Sequence, residues 1–192
     1  MTLTLDKAAI RQDILGRRDA LHEGDRARMS AALAAHALPF RAEIHAGPVS
    51  GFWPIRSEID PRPLMEAFAA HGARLCLPVV RKSGLTFRAY RPGDALVRAG
   101  FGLSEPGEDA PEVRPRLMLV PLAAFDRRGD RIGYGAGYYD RAIARFTADG
   151  GPLTTVGLAF SMQEVDRVPT ELHDRRLDWI VTESEVIRAT LV

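Results

Sequence analysis

A glycine-rich stretch in the second half of the sequence carries the strongest chemical signal. Gly133, Gly135 and Gly137 alternate with Tyr134 and Ala136 inside LMLVPLAAFDRRGDRIGYGAGYYDR, residues 117–141. Glycines of this kind let backbone N–H groups point at an anion, and the N-terminus of a following helix adds its positive dipole end. The stretch has neither the Lys-Ser/Thr pair of a P-loop nor, at Tyr138, the last glycine of a dinucleotide-binding fingerprint. Spacing alone therefore leaves both phosphate binding and a tightly packed turn open.

Two aspartates could bind a metal ion beside such a loop. Asp140 falls in the first turn of the helix predicted after the glycines, and Asp174 lies in the polar segment ELHDRRLD. Magnesium sites commonly combine one or two carboxylates with substrate phosphates, so each aspartate is a candidate Mg²⁺ ligand. Alternatively, Asp140 complements the helix dipole and Asp174 caps a loop. We expect the Asp140 carboxylate to be exposed and to contribute little to stability.

Near the N-terminus, Lys7 and Arg11 lie four residues apart and so share one helix face. They could clamp nucleotide phosphates, because a guanidinium binds two oxygens at once. A solvated basic stripe is the other interpretation of the same spacing.

Trp53 and Glu58 are the candidates for contact with a flat ligand ring. Trp53 ends a predicted strand, where an aromatic side chain could stack on a ring or simply pack at the rim of the core. Glu58 could accept hydrogen bonds from ring nitrogens, or it could pair with Arg56 or Arg62 at the surface. Neither choice is decided by spacing.

Composition excludes several other classes of protein. The 192 residues are 46% hydrophobic with a formal net charge of +1, which favours a globular domain and argues against a dedicated nucleic-acid binder. The single cysteine, Cys76, cannot form an intramolecular disulfide. No apolar run approaches the roughly 20 residues of a membrane span, and the first residues do not resemble a signal peptide. The five histidines have no zinc-binding spacing, and there is no G-x-S-x-G motif. We therefore expect a cytoplasmic protein with neither nucleic-acid nor membrane partners.

The elements that must position these residues alternate between strand and helix. The patterns predict helices over residues 6–21, 25–38, 60–71 and 138–146. They predict strands over residues 49–53, 74–80, 85–90, 117–120, 154–160 and 178–181, with a long surface connection over 91–115. Such alternation indicates one α/β domain over residues 1–192, built on a largely parallel sheet.

Taken in order, the segments resemble the 5-formyltetrahydrofolate cyclo-ligase family. The similarity rests on KAAIR at residues 7–11, WPIRSEID at 53–60, LCLPVV at 75–80, FRAYRPGDALVRAGFGLSEP at 87–106, the glycine-rich stretch at 117–141 and VPTELHDRRLDWIVTE at 168–183. It implies a three-layer αβα fold with a mostly parallel central sheet, like that of sugar-phosphate isomerases and CoA-transferases. It also implies ATP- and Mg²⁺-dependent conversion of 5-formyltetrahydrofolate to 5,10-methenyltetrahydrofolate, with release of ADP and phosphate. Separately, we expect the protein to be a monomer.

The resemblance also assigns roles to residues. The implied ATP site contains Lys7, Arg11, Arg131, Gly133, Tyr134, Gly135, Ala136, Gly137, Tyr138 and Tyr139. The implied folate contacts are Trp53, Glu58 and Tyr138. Asp140 and Asp174 match the family's magnesium ligands, and Tyr138 and Asp140 are the implied catalytic residues.

For the chemistry, we expect ATP to phosphorylate the formyl oxygen, after which N10 of the folate attacks the formyl carbon. No covalent nucleophile on the protein is needed for this route. Two alternatives stay open at this point. One is a relative that binds folate or a nucleotide without cyclising it, and the other is a sugar-phosphate isomerase that has no ATP requirement.

Overall fold

The fold is built on a central sheet, described here from a computed structural model that covers residues 6–190. The predicted domain of residues 1–192 includes residues 1–5 and 191–192, which lie outside that range. The strands are β1 (Val49–Ser50), β2 (Leu75–Arg81), β3 (Gly84–Tyr90), β4 (Leu96–Arg98), β5 (Ser104–Pro106), β6 (Leu117–Pro121), β7 (Ala124–Phe125), β8 (Arg131–Ile132), β9 (Thr154–Leu158), β10 (Trp179–Val181) and β11 (Val186–Arg188).

Seven of these strands form the main sheet in the order β11-β10-β9-β6-β1-β2-β3. The five inner strands run parallel, and the edge strands β3 and β11 run antiparallel to their neighbours. Val49 at the start of β1 pairs with Leu75 on one side and Leu117 on the other. The predicted mostly parallel sheet is therefore confirmed. The strands β4 and β5 form a separate antiparallel pair, and so do β7 and β8.

Helices cover both faces of the sheet. They are α1 (Lys7–Asp19), α2 (Glu23–Ala32), α3 (Arg41–Ala46), α4 (Arg62–Ala70) and α5 (Tyr138–Ala148), with short 3₁₀ turns at residues 33–36, 38–40, 100–102 and 161–163. Among residues 6–190, no helix combines the length and apolar character needed to cross a bilayer.

Successive side chains of β6 point to opposite faces of the sheet and pack in two different apolar clusters. Leu117 and Leu119 pack in the cluster that contains Phe68 of α4. Met118 and Val120 pack in the opposite cluster, which contains Phe146 of α5. A strand that is apolar at every position is expected where both faces are covered. The predicted three-layer αβα arrangement follows from this packing.

Some predicted elements differ from the observed ones. The helix predicted over 25–38 begins at Glu23, ends at Ala32 and continues as 3₁₀ turns. Pro39 has no N–H to donate to the Ala35 carbonyl, so an α-helix could not have continued through it. The surface connection predicted over 91–115 contains the β4–β5 hairpin, and α3 and β11 were not predicted. These elements have only three to six residues, so their hydrophobic periodicity is too short to recognise.

The β7–β8 hairpin is tied to two distant segments by buried contacts. Its Asp126 carboxylate accepts from the amides of Arg128 and Val168, each at 2.9 Å. Gly129 adopts a φ of +82°, and its carbonyl accepts from the Leu177 amide at 2.9 Å. The hairpin thereby fixes the position of residues 165–168 and that of Leu177, which lies just before β10.

We expect Gly129→Ala to lower the free energy of unfolding by about 2–4 kcal/mol, because the new methyl group would be strained at this positive φ and would collide with the Leu177 carbonyl oxygen. Denaturant unfolding measures the change. Gly16→Ala in α1 is the matched control, since no atom lies within 4 Å of the added carbon, and it should be neutral or stabilising. Equal stabilities of the two variants would contradict the expectation.

Candidate active site

The predicted site residues come from four segments of the chain. These are α1, the loop of residues 51–59 after β1, the stretch from β8 to the start of α5, and the loop of residues 171–177 before β10. The two loops and the glycines lie outside regular strands, where α/β proteins usually bind their ligands. Polar contacts join all four segments, as described below.

The basic face of α1 lies against the other segments and is not a solvated stripe. Lys7 Nζ lies 2.6 Å from Asp174 Oδ2 and 3.6 Å from Glu171 Oε1. One turn later, Arg11 Nε donates to the Gly133 carbonyl at 2.7 Å. Lys7 is therefore held at the loop of residues 171–177, and Arg11 at the glycine-rich loop.

The glycine-rich loop has a backbone that glycine alone adopts readily at two positions. Gly135 has a φ of +96°, and Gly137, the residue that precedes α5, has a φ of +63°. No side chain caps the first amides of α5 among the described residues. Added Cβ atoms at Gly133 and Gly135 would meet nothing within 4 Å, so the loop borders open space. An uncapped helix start beside open space is the geometry in which backbone amides bind anions.

Asp140 is held by a buried arginine, which corrects the expectation of an exposed carboxylate. Arg131 Nη2 donates to Asp140 Oδ1 at 2.7 Å, and the side chains are only 5% and 22% exposed. The Arg175 amide donates to the same oxygen at 3.0 Å, and the Arg131 guanidinium also donates to the Arg175 carbonyl. Burial lowers the pKa of Arg131, while the charge of Asp140 opposes that shift.

Asp174 lies in a small cluster of potential metal ligands. One ligand atom each from Glu171, His173 and Asp174 lies within 4.8 Å of the others. Burial alone would raise the pKa of Asp174, but hydrogen bonds from Lys7 and the Glu171 amide, together with the charges of Lys7 and His173, hold that pKa below its usual range. The Asp174 carboxylate is thus the charged form that binds a cation.

The donor set fits a magnesium ion, which prefers oxygen ligands. At Asp140 both contacts to the protein use Oδ1, and at Asp174 the contacts from Lys7 and the Glu171 amide use Oδ2. In each case the second carboxylate oxygen takes no part in these contacts, although Asp174 Oδ1 lies 3.9 Å from His173 Nε2.

Glu58 is buried, so the predicted alternative of a surface pair with Arg56 or Arg62 does not hold. Glu58 is only 9% exposed, and its Oε2 accepts from the Ile55 amide at 2.9 Å. Burial raises the pKa of Glu58, although the Ile55 amide, the Tyr134 hydroxyl and the Arg18 charge act in the opposite direction.

Trp53 packs at the rim of the core. Its ring meets Tyr90 edge-on at 6.3 Å, and the Arg62 guanidinium lies 5.0 Å above it. Asp60, and not Glu58, holds Arg62, at 2.5 Å. Trp53 thus belongs to the same loop as Glu58 but contacts a different set of side chains.

Tyr138 and Tyr139 begin α5 and pack beside the apolar cluster under that helix. The Arg141 guanidinium lies 5.1 Å from the Tyr138 ring and also donates to the Ala136 carbonyl at 2.9 Å. Burial raises the pKa of the Tyr139 hydroxyl, so that group stays protonated near neutrality.

The sequence analysis missed Arg18 and Ser57, which connect these segments. Arg18 donates to Ser57 Oγ at 3.0 Å and to the Tyr134 hydroxyl at 2.8 Å. A signal was available, because Arg18 lies seven residues after Arg11 and therefore on the same helix face.

Comparisons with known proteins agree with this architecture. The model of the 5-formyltetrahydrofolate cyclo-ligase family matches residues 4–183. The chain is 32% identical to the 5-formyltetrahydrofolate cyclo-ligase of Escherichia coli K12 over 88% of this chain and 96% of that protein. It is 34% identical to the Mycolicibacterium smegmatis protein of the same name, over 70% and 72% of the two chains.

Two solved structures have the same fold. The 5,10-methenyltetrahydrofolate synthetase of Aquifex aeolicus superposes with a TM-score of 0.80 at 30% identity, covering 95% of this chain and 92% of that chain. The Mycoplasma pneumoniae synthetase superposes with a TM-score of 0.72 at 22% identity, covering 93% and 99%. From the match over residues 4–183, we conclude that the chain belongs to the 5-formyltetrahydrofolate cyclo-ligase family.

Proposed function

We propose that this protein catalyses the ATP-dependent cyclisation of 5-formyltetrahydrofolate to 5,10-methenyltetrahydrofolate, with release of ADP and phosphate. The observation that carries the proposal is family membership over nearly the whole chain, residues 4–183. The contacts around the glycine-rich loop support it, because they bring cations, backbone amides and carboxylates together in the combination that phosphoryl transfer needs.

ATP binds, in this proposal, along the loop of residues 131–139. The amides of the loop and of the first turn of α5 hold the phosphates, and Lys7 and Arg11 supply positive charge from α1. Arg131 fixes the loop through its contacts with Asp140 and Arg175. The loop residues are Arg131, Gly133, Tyr134, Gly135, Ala136, Gly137, Tyr138 and Tyr139.

Asp140 and Asp174 would hold the magnesium ion. When bound, the ion supplies charge neutralisation on the transferred phosphoryl group. Lys7 Nζ lies 2.6 Å from Asp174 Oδ2 in the structure. We expect this ammonium group to turn toward the phosphates when Mg-ATP binds.

The substrate lies, in this proposal, against Trp53, Glu58 and Tyr138, with its formyl oxygen facing the γ-phosphate. The formyl oxygen attacks phosphorus and ADP leaves. N10 then attacks the formyl carbon and loses its proton, and the C–O bond to phosphate breaks. The protein supplies position and electrostatic stabilisation, and no side chain forms a covalent bond with the substrate.

We further propose that the protein acts as a monomer in the cytoplasm, with neither nucleic-acid nor membrane partners. The formal net charge of +1 supports the absence of a nucleic-acid partner.

The direct test is an absorbance assay. The protein, Mg-ATP and 5-formyltetrahydrofolate together should produce the near-ultraviolet band of the methenyl product, and omission of ATP or addition of a metal chelator should abolish it. Equal turnover without ATP would contradict the proposal. Substrate binding without any turnover would instead indicate a non-catalytic relative.

Lys7→Met should raise the KM for ATP about tenfold or more, because a charge-assisted contact to phosphate is worth roughly 1.5–3 kcal/mol. Steady-state kinetics at saturating folate substrate measures the change. Lys82→Met, in the exposed turn between β2 and β3, is the control and should leave the KM unchanged. If Lys7→Met also has no effect, Lys7 serves only to hold the 171–174 loop.

Asp174→Asn should raise the Mg²⁺ concentration needed for half-maximal activity about tenfold, because the amide is a weaker ligand than the carboxylate. A titration of Mg²⁺ at fixed ATP measures this shift. Asp166→Asn makes the same chemical change at an exposed position and should leave the curve unaltered. Identical curves for all three proteins would remove Asp174 from the metal site.

A further inference from the structure

One buried cation beside the site has no part in the function proposed above. Arg18 is 2% exposed and is one of the largest fully buried side chains among the described residues. Its Nε lies 3.0 Å from Ser57 Oγ and its Nη1 lies 2.8 Å from the Tyr134 hydroxyl. A single guanidinium therefore joins α1, the loop that carries Glu58 and the glycine-rich loop.

The chemistry of these groups fixes the direction of each hydrogen bond. A guanidinium can only donate, so the Tyr134 hydroxyl accepts from Arg18 and its own proton is directed elsewhere. Ser57, whose hydroxyl also accepts from Arg18, directly precedes Glu58 in the chain. Glu58 Oε2 itself accepts from the Ile55 amide at 2.9 Å.

Ser57 extends the same network in the other direction. Its hydroxyl accepts from Arg18 and donates to Asp19. Through the Ser57 hydroxyl, Arg18 is thus also linked to the Asp19 carboxylate. Neither loop can shift without breaking a hydrogen bond to the same guanidinium.

Packing alone does not require a cation at this position. Ile14, one turn earlier on the same helix face, is apolar and buried. Removing a charge from water is costly, and buried ion pairs can often be replaced by apolar side chains without loss of stability. The polar network is therefore better explained by what it positions than by what it adds to folding.

We propose that Arg18 is a positioning residue for substrate binding. It holds the loop of residues 51–59 against the glycine-rich loop through the Ser57 and Tyr134 hydroxyls, and so orients the Glu58 carboxylate toward the ring N–H groups of the folate substrate. This inference rests on the proposed function, adds Arg18 and Ser57 to it and gives Tyr134 a second role. Arg18 itself does not touch the substrate, and the role it gives to Tyr134 is separate from the contact of the loop amides with ATP.

Tyr134→Phe is the most informative variant, because it removes one hydroxyl and keeps the ring, which is 37% exposed. We expect the KM for 5-formyltetrahydrofolate to rise about fivefold to tenfold, the effect of one lost hydrogen bond that orients a charged group. The rise in the KM for the folate substrate should clearly exceed any change in the KM for ATP, since the loop amides are unchanged.

Arg18→Gln should raise the KM for the folate substrate by a similar factor. The double variant should be no worse than either single one, because both changes break the same connection. Arg17→Gln is the matched control on the exposed face of α1 and should leave both KM values unchanged. Thermal unfolding of each variant reports whether it is folded. If Arg18→Gln does not fold, Tyr134→Phe still tests the inference.

The outcomes separate this inference from the proposed function. Normal turnover by the wild-type protein with an unchanged folate KM in Tyr134→Phe would overturn the inference alone. An equal rise in both KM values would also overturn it, because general loosening of the loop would then be the cause. No turnover by the wild-type protein would overturn the proposed function and this inference with it.

Discussion

An ion pair between the buried Arg131 and the partly buried Asp140 is the interaction on which the rest of the site depends. Its atoms lie 2.7 Å apart, and the same two side chains bond to the backbone of Arg175 on both its carbonyl and amide sides. The end of β8, the first turn of α5 and the loop before β10 are consequently fixed relative to one another. Because removal of one partner of such a pair leaves a buried charge uncompensated, the pair constrains all three segments together.

The glycine-rich loop connects the end of β8 to the start of α5, two of the segments that this ion pair fixes. Helix α1 contacts these segments through Lys7, which binds Asp174, and Arg11, which donates to the Gly133 carbonyl. Each of these two cations already has an acceptor. Positive charge from these side chains and from the uncapped start of α5 is thus balanced by the negative charge of the two aspartates. Binding of an anionic ligand with a divalent cation would exchange these contacts for others of the same kind, which limits the reorganisation the site needs.

Much of this arrangement could be predicted from the sequence, and the reasons for the exceptions are physical. Apolar runs such as residues 117–120 predicted buried parallel strands, because a strand covered on both faces must be apolar throughout. The glycine-rich loop was recognised because only a few residue types adopt its backbone conformations. Arg18 was missed because its role depends on Ser57 and Tyr134, which lie far away in sequence. The exposure expected for Asp140 was wrong because Arg131 and the Arg175 amide reach its carboxylate only in the folded chain.

The contact between Lys7 and Asp174 has a consequence for how the protein is made. These residues are 167 positions apart, yet their side chains lie 2.6 Å from each other. During synthesis on the ribosome, α1 emerges first, and Lys7 cannot contact Asp174 until almost all of the polypeptide has been translated. A nascent chain that stops before residue 174 cannot assemble this side of the site, so prematurely terminated products would lack a completed ligand pocket.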